Sequence, residues 1–165
     1  QRSFKEEIKD EKVKKEMTKE FIDFYSKNID RASVPIKGTI DFLLWAKSKN
    51  ISMAVCTNKQ ERLASDLLKK LDMHKYFEYV AGSDTFAFNK PDPRHLTDVV
   101  EIIGGDLKKT IMVGDSEVDA MSAHNARIPF VLVKDGYTEK TEKEIKHDEL
   151  ISDFVNFEKI LQKYL

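Results

Sequence analysis

Residues 110–121 read TIMVGDSEVDAM. A short apolar run, Thr110 to Val113, stops at Gly114, and two aspartates four positions apart, Asp115 and Asp119, follow it. The run has the length and composition of a buried strand, and the residues after it read as a helix. Two carboxylates at the tip of a buried strand repel each other and resist losing their water. They call for a cation, a lysine or a helix N-terminus beside them.

Outward from this stretch the same alternation repeats. Thr39 to Lys49 reads as a helix with Ile40, Leu43, Leu44 and Trp45 on one side. ISMAVC (51–56) reads as a continuous apolar strand buried on both faces. Residues 59–71 give a helix, Tyr79–Ala81 a short strand, and residues 92–103 a helix opened by proline and closed by Gly104-Gly105. After the strand 110–113 come a helix at 116–126, the strand PFVLV (129–133), the segment GYTEKT and a mostly helical tail. Strands that alternate with helices and are apolar throughout predict an α/β fold: a Rossmann-like parallel sheet with helices on both faces. Residues 3–29 differ. Phe4, Ile8, Met17, Phe21, Phe24 and Tyr25 recur at helical spacing among lysines and glutamates, and DRASVPIK (30–37) breaks the pattern. Two parts follow from this, a helical region at 1–33 and the α/β core at 34–165.

The bulk composition narrows the function. Of 165 residues, 41% are hydrophobic, enough for a core, and 28 basic residues nearly cancel 29 acidic ones. A net charge of -1 gives no reason to expect nucleic acid or an anionic membrane as partner. No apolar run approaches the roughly 20 residues that span a bilayer. The single cysteine, Cys56, excludes an internal disulfide framework and fits a reducing, cytoplasmic setting. His74, His95, His124 and His147 are scattered without zinc-like spacing and read as surface or helix residues. The expected partner is a small molecule, with a monomer or a homodimer both allowed.

In open parallel sheets the site lies at the carboxyl ends of the strands. Thr57 and Asn58 follow the first strand, Gly82-Ser83-Asp84 the second, Asp115 and Asp119 the third, and Lys134-Asp135-Gly136 the fourth. Asp115 and Asp119 lie one turn apart on the same helical face, and hard oxygen ligands at a rigid turn suit Mg²⁺. The ordinary alternative is that Asp115 or Ser116 caps the helix and Asp119 is a solvated acid. Thr57 and Asn58 offer a hydroxyl and backbone amides for a phosphate, or else an N-cap. Lys90, in a loop restrained by Pro91 after it and by Pro93 opening the next helix, can reach the rim and neutralise a phosphate or the two aspartates. Its ordinary alternative is an exposed loop lysine.

Taken in order, a strand ending in Thr, a Lys-Pro before a helix and a strand ending Gly-Asp-Ser-x-x-Asp form a specific series. It resembles the haloacid dehalogenase-like hydrolase superfamily over about residues 35–140. The wording CTNKQERLASDLLKKL, GSDT, KPDPRHL and MVGDSEVDAMSA resembles its phosphoglycolate phosphatase branch. Related mutases usually carry Glu-Asp and a later glycine where this chain has Gly114-Asp115 and Asp119, which favours a phosphatase. The resemblance makes residues 1–33 part of a helical cap. It implies Mg²⁺-dependent hydrolysis of a small phosphomonoester, such as 2-phosphoglycolate, through an aspartyl-phosphate. Thr57, with Asn58, would hold a phosphoryl oxygen, and Lys90 would stabilise nucleophile and phosphate. Asp115 would bind the metal, and Asp119 would orient the metal's waters or Lys90.

The resemblance also implies a strand ending Asp-x-Asp-Gly-Thr that carries the nucleophile, and residues 1–165 contain no Asp-x-Asp. In the superfamily that strand lies between those matching 51–56 and 110–113. The 165 residues by themselves are therefore expected to be inactive. They are expected to be a fragment of a longer phosphatase, to let the two bordering strands pair directly, or to receive the strand from a second molecule. The competing function is a non-catalytic remnant that binds phosphate, metal or a protein partner.

Overall fold

The strand PFVLV sets the layering. Phe130, Val131, Leu132 and Val133 are all buried, and consecutive side chains point to opposite faces. Phe130 and Leu132 pack with Leu96, Ala120, Ala123, Ile128 and Ile145. Val131 and Val133 pack with Ile151 and Phe157, against which Phe42 and Phe154 also lie. A strand apolar on both faces needs a helical layer on each, and it has one.

The computed structural model describes residues 33–136 and 138–164. Its order is α1 (Thr39–Ser48), β1 (Ala54–Cys56), α2 (Glu61–Lys70), β2 (Tyr79–Ala81), α3 (Arg94–Ile102), β3 (Met112–Gly114), α4 (Glu117–Asn125), β4 (Phe130–Val133), β5 (Glu149–Ile151) and α5 (Phe157–Leu161). Short 3₁₀ turns at His74–Tyr76 and Leu107–Lys109 lead into β2 and β3. Helices α3 and α4 cover one face of β4, and α1 and α5 the other. All strand pairs are parallel, with Val55 opposite Val80, Val113 opposite Val131, and Leu132 opposite Leu150. The α/β class with helices on both faces is as expected. The cap expected over residues 1–33 lies, save for Ser33, outside the described residues.

Three expectations are corrected. First, residues 51–56 do not form one continuous buried strand. Only Ala54–Cys56 are strand, and they are half-buried, as are Met112–Gly114. The reason is pairing: among the described residues β1 has a neighbour only in β2, and β3 only in β4. Second, the bordering strands do not close up. The described strands form two separate sheets, β1–β2 and β3–β4–β5. Third, the tail is not mostly helical, because Glu149–Ile151 adds a parallel strand to β4 and only Phe157–Leu161 is helix.

Candidate active site

The site is assembled where β1 and β3 end. Helix α4 starts late enough for Ser116 to be its N-cap, with extended backbone. The Ser116 hydroxyl accepts from the Asp119 N–H at 3.3 Å and donates to Asp119 Oδ2 at 2.7 Å. The Ser116 side chain thus caps the helix and at the same time holds the Asp119 carboxylate. Asp119 Oδ2 also accepts from the Asp115 N–H at 3.2 Å. Asp119 is thus a cap partner, but it is not a solvated acid: it is 5% exposed. Gly114 makes the burial possible, since a Cβ there would lie 2.5 Å from Asp119 Cβ and 2.6 Å from its Cγ. Replacing Ser116 by alanine removes one cap hydrogen bond and lowers the unfolding free energy by about 1 kcal/mol, read by urea denaturation.

The cation that settles Asp119 is Lys90. It is 8% exposed, and its ammonium makes an ion pair with Asp119 Oδ1. The same ammonium donates to the Cys56 carbonyl at 2.7 Å, at the end of β1. Lys90 therefore joins the carboxyl ends of the two separate sheets. Two of its three N–H donors are used here, and one remains for a ligand. Asn58 holds this lysine's own backbone, its side-chain amide donating to the Lys90 carbonyl at 2.9 Å.

Thr57 continues β1 past its assigned end, its N–H donating to Ala81 O at 2.9 Å. It is not an N-cap. Helix α2 begins four residues later at Glu61, whose N–H is satisfied by Asp84 Oδ1 at 2.8 Å from the loop after β2. Thr57 Oγ1 accepts from the Lys59 N–H at 3.1 Å, which turns the chain at the rim.

Asp115 lies at the rim under Gly136, where an added Cβ would collide with its side chain and carbonyl. The loop after β4 encloses a cavity of about 380 Å³ lined by Asp115, Lys134, Asp135, Thr138 and Lys140. Thr138 Oγ1 donates to Glu117 at 2.7 Å and holds the Glu117 carboxyl below its ordinary range. Among the described residues, no cluster of three or more His, Cys, Asp or Glu side chains gathers to hold a metal. Both Asp119 oxygens are engaged. The donor set suits a cation that takes one carboxylate and completes its shell with water and ligand oxygens, which is how Mg²⁺ binds.

Five of the site residues read from the sequence come together: Thr57, Asn58, Lys90, Asp115 and Asp119. The clamping role of the Asn58 side chain and the glycine over Asp115 were not foreseen. Gly136 had a signal, a glycine directly after the rim residues of β4. Cys56 is inert, its thiol pushed up to about 11 by burial.

His95 is no ordinary helix residue. It is completely buried on α3, with Nε2 3.2 Å from the Gly82 carbonyl and Nδ1 unpartnered among the described residues. Burial first, and then Lys90, hold its pKa below the usual 6.5, while Asp92 and Asp98 pull the other way. The folded state therefore keeps His95 neutral where the unfolded chain protonates it. Its contribution to stability is complete above pH 6.5 and is lost as pH falls below it toward the folded pKa. Melting temperatures at pH 7 and pH 5 drop less in His95→Gln than in the wild type.

Comparison with known proteins agrees with this geometry. The family model described as haloacid dehalogenase-like hydrolase matches residues 1–133. The phosphoglycolate phosphatase of Mesorhizobium japonicum is 41% identical over 138 residues, covering 84% of this chain and 61% of that protein. The phosphoglycolate phosphatase of Agrobacterium fabrum is 42% identical over 148 residues, covering 87% of this chain and 64% of that protein. The chain thus spans less than two thirds of the length of these curated relatives. Among solved structures, a predicted phosphoglycolate phosphatase from Haemophilus somnus superposes with a TM-score of 0.86 at 25% identity, over 92% of this chain and 68% of that one. A match over residues 1–133, together with the buried Lys90–Asp119 pair beside the ends of β1 and β3, places the chain in the haloacid dehalogenase-like hydrolase family.

Proposed function

We propose that residues 34–165 are the phosphate-receiving core of a Mg²⁺-dependent phosphatase acting on a small phosphomonoester such as 2-phosphoglycolate. One observation carries the reading: Lys90 is buried, charged and held between the end of β1 and Asp119. A buried ammonium with a donor to spare is a fixed positive centre for a phosphoryl group. The names of the two bacterial relatives supply the substrate class.

Each residue then has a part. The Thr57 hydroxyl and the Asn58 N–H take phosphoryl oxygens at the tip of β1. Lys90 gives its remaining N–H to the same group. Asp119 keeps Lys90 in place, and Asp115 binds the metal. Bound Mg²⁺ would neutralise charge on the transferring oxygens. The attacking aspartate of such a phosphatase belongs to an Asp-x-Asp segment, and residues 1–165 contain none. Among the described residues no helix is long and apolar enough to cross a membrane. A cytoplasmic small-molecule phosphatase, monomeric or homodimeric, is the setting we propose.

The test is phosphate release from 2-phosphoglycolate by the full-length gene product in Mg²⁺. Lys90→Met and Asp115→Asn are each expected to lower kcat by about 10²–10³-fold. Binding of 2-phosphoglycolate without release from it or from other small phosphomonoesters would instead establish a non-catalytic binder.

A further inference from the structure

The segment after β4 returns across the tip of β3. Lys134 still belongs to the sheet, its N–H donating to Ile151 O at 2.8 Å. Asp135 then takes a left-handed conformation, φ 58°, and reverses the chain. Gly136 lands on Asp115: a Cβ there would lie 2.4 Å from both Asp115 Cβ and the Asp115 carbonyl oxygen, and 2.8 Å from Cγ. Only a residue without a side chain comes so close to the carboxylate. Farther on, Ile145 anchors the segment in the core beside Phe130 and Leu132.

Between Gly136 and Ile145 one residue makes the tie. Thr138 N–H donates to Gly136 O at 3.0 Å, and Thr138 Oγ1 accepts from the Lys140 N–H at 3.1 Å. The same hydroxyl donates its proton to Glu117 Oε2 at 2.7 Å. Glu117 opens α4 two positions after Asp115, and Thr138 stands two positions after Gly136. The contacts therefore close a ring. It runs along the chain from Asp115 to Glu117, across the hydrogen bond to Thr138, back to Gly136 and onto Asp115. All four residues are half-buried, which shields the bond from competing water. A hydrogen bond to an ionised carboxylate is also among the stronger kind. Turning the Asp115 side chain toward the segment meets Gly136, and Gly136 lifts only when that bond is given up.

We propose that Thr138 is a positioning residue: by latching its segment to Glu117 it keeps Gly136 on Asp115 and so presets the carboxylate that takes the metal. The inference rests on the reading of Asp115 as the Mg²⁺ ligand. Residues that fix the orientation of a ligand without touching the ion typically carry about 10–100-fold of metal affinity. The reason is preorganisation, since a carboxylate already confined loses less freedom on taking the cation.

The test is calorimetric titration of Mg²⁺ into the full-length gene product and its variants. Thr138→Val keeps the shape and changes no charge, and it raises the Mg²⁺ dissociation constant about tenfold or more. Thr138→Ser keeps the hydroxyl and stays within about threefold of the wild type. Glu117→Gln and Glu117→Leu lose the same charge, but only glutamine still offers an oxygen to Thr138. Glu117→Leu therefore binds Mg²⁺ about fivefold or more weakly than Glu117→Gln. Asp115→Asn separates the latch from the reading beneath it. If Asp115→Asn weakens Mg²⁺ binding and Thr138→Val does not, the latch is overturned and the metal reading stands. If Asp115→Asn leaves the affinity unchanged, both fall. A lower Tm in Thr138→Val with Mg²⁺ affinity kept marks a merely structural tie and also overturns the proposal.

Discussion

Lys90→Met lowers the unfolding free energy by about 3–5 kcal/mol, the range for breaking a buried ion pair from one side. The methionine fills much of the same volume, so the loss is electrostatic rather than steric. Asp119 is left with Oδ1 unpaired at a position 5% exposed. Its remaining contacts, Ser116 Oγ and the Asp115 N–H, both act on Oδ2. The Cys56 carbonyl also loses its donor. Lys90→Met combined with Asp119→Leu removes both charges and is less destabilised than the sum of the two single variants, because neither charge is then stranded. Urea denaturation of the four proteins measures the coupling. Additive losses would mean that the pair does not interact.

Phe130→Ala also costs about 3–5 kcal/mol, through a cavity rather than a charge. Phe130 is completely buried in the middle of the three-stranded sheet. It fills the space under α3 and α4 with Leu96, Ala120, Ala123 and Ile128. A small domain whose sheet is divided has little other packing to redistribute the loss. The neighbouring Phe130 N–H, bonded to Asp148 Oδ2 at 2.7 Å, is unaffected by the substitution, so the effect reads side-chain packing alone. Chemical denaturation measures it.

The layering was legible in the sequence because β4 is apolar at every position, and only a strand covered on both faces can be so. The site was legible for a related reason. Parallel strands put their carboxyl ends on one rim, so the residues after 51–56 and 110–113 had to be neighbours. Lys90 came with them because two prolines restrain its loop. What could not be read was the extent of the edge strands. ISMAVC has the composition of a fully buried strand, yet strand length depends on partners, and one side of β1 has none among the described residues. The ladder is a tertiary property that composition does not carry. Strand β5 was missed because Glu149-Leu150-Ile151 is short and follows a charged stretch. Its place beside β4 comes from sheet pairing rather than from propensity. The burial of His95 was missed for the opposite reason: one polar residue on an apolar helical face resembles a surface residue until its neighbours are known.

The most direct test of the central claim, that the rim at Thr57, Asn58, Lys90 and Asp115 receives a phosphoryl group, is calorimetric titration of 2-phosphoglycolate into the 165-residue chain with Mg²⁺. The account predicts saturable one-to-one binding, weakened at least tenfold by Thr57→Val and by omission of Mg²⁺. No binding, or binding unchanged by both, would contradict it.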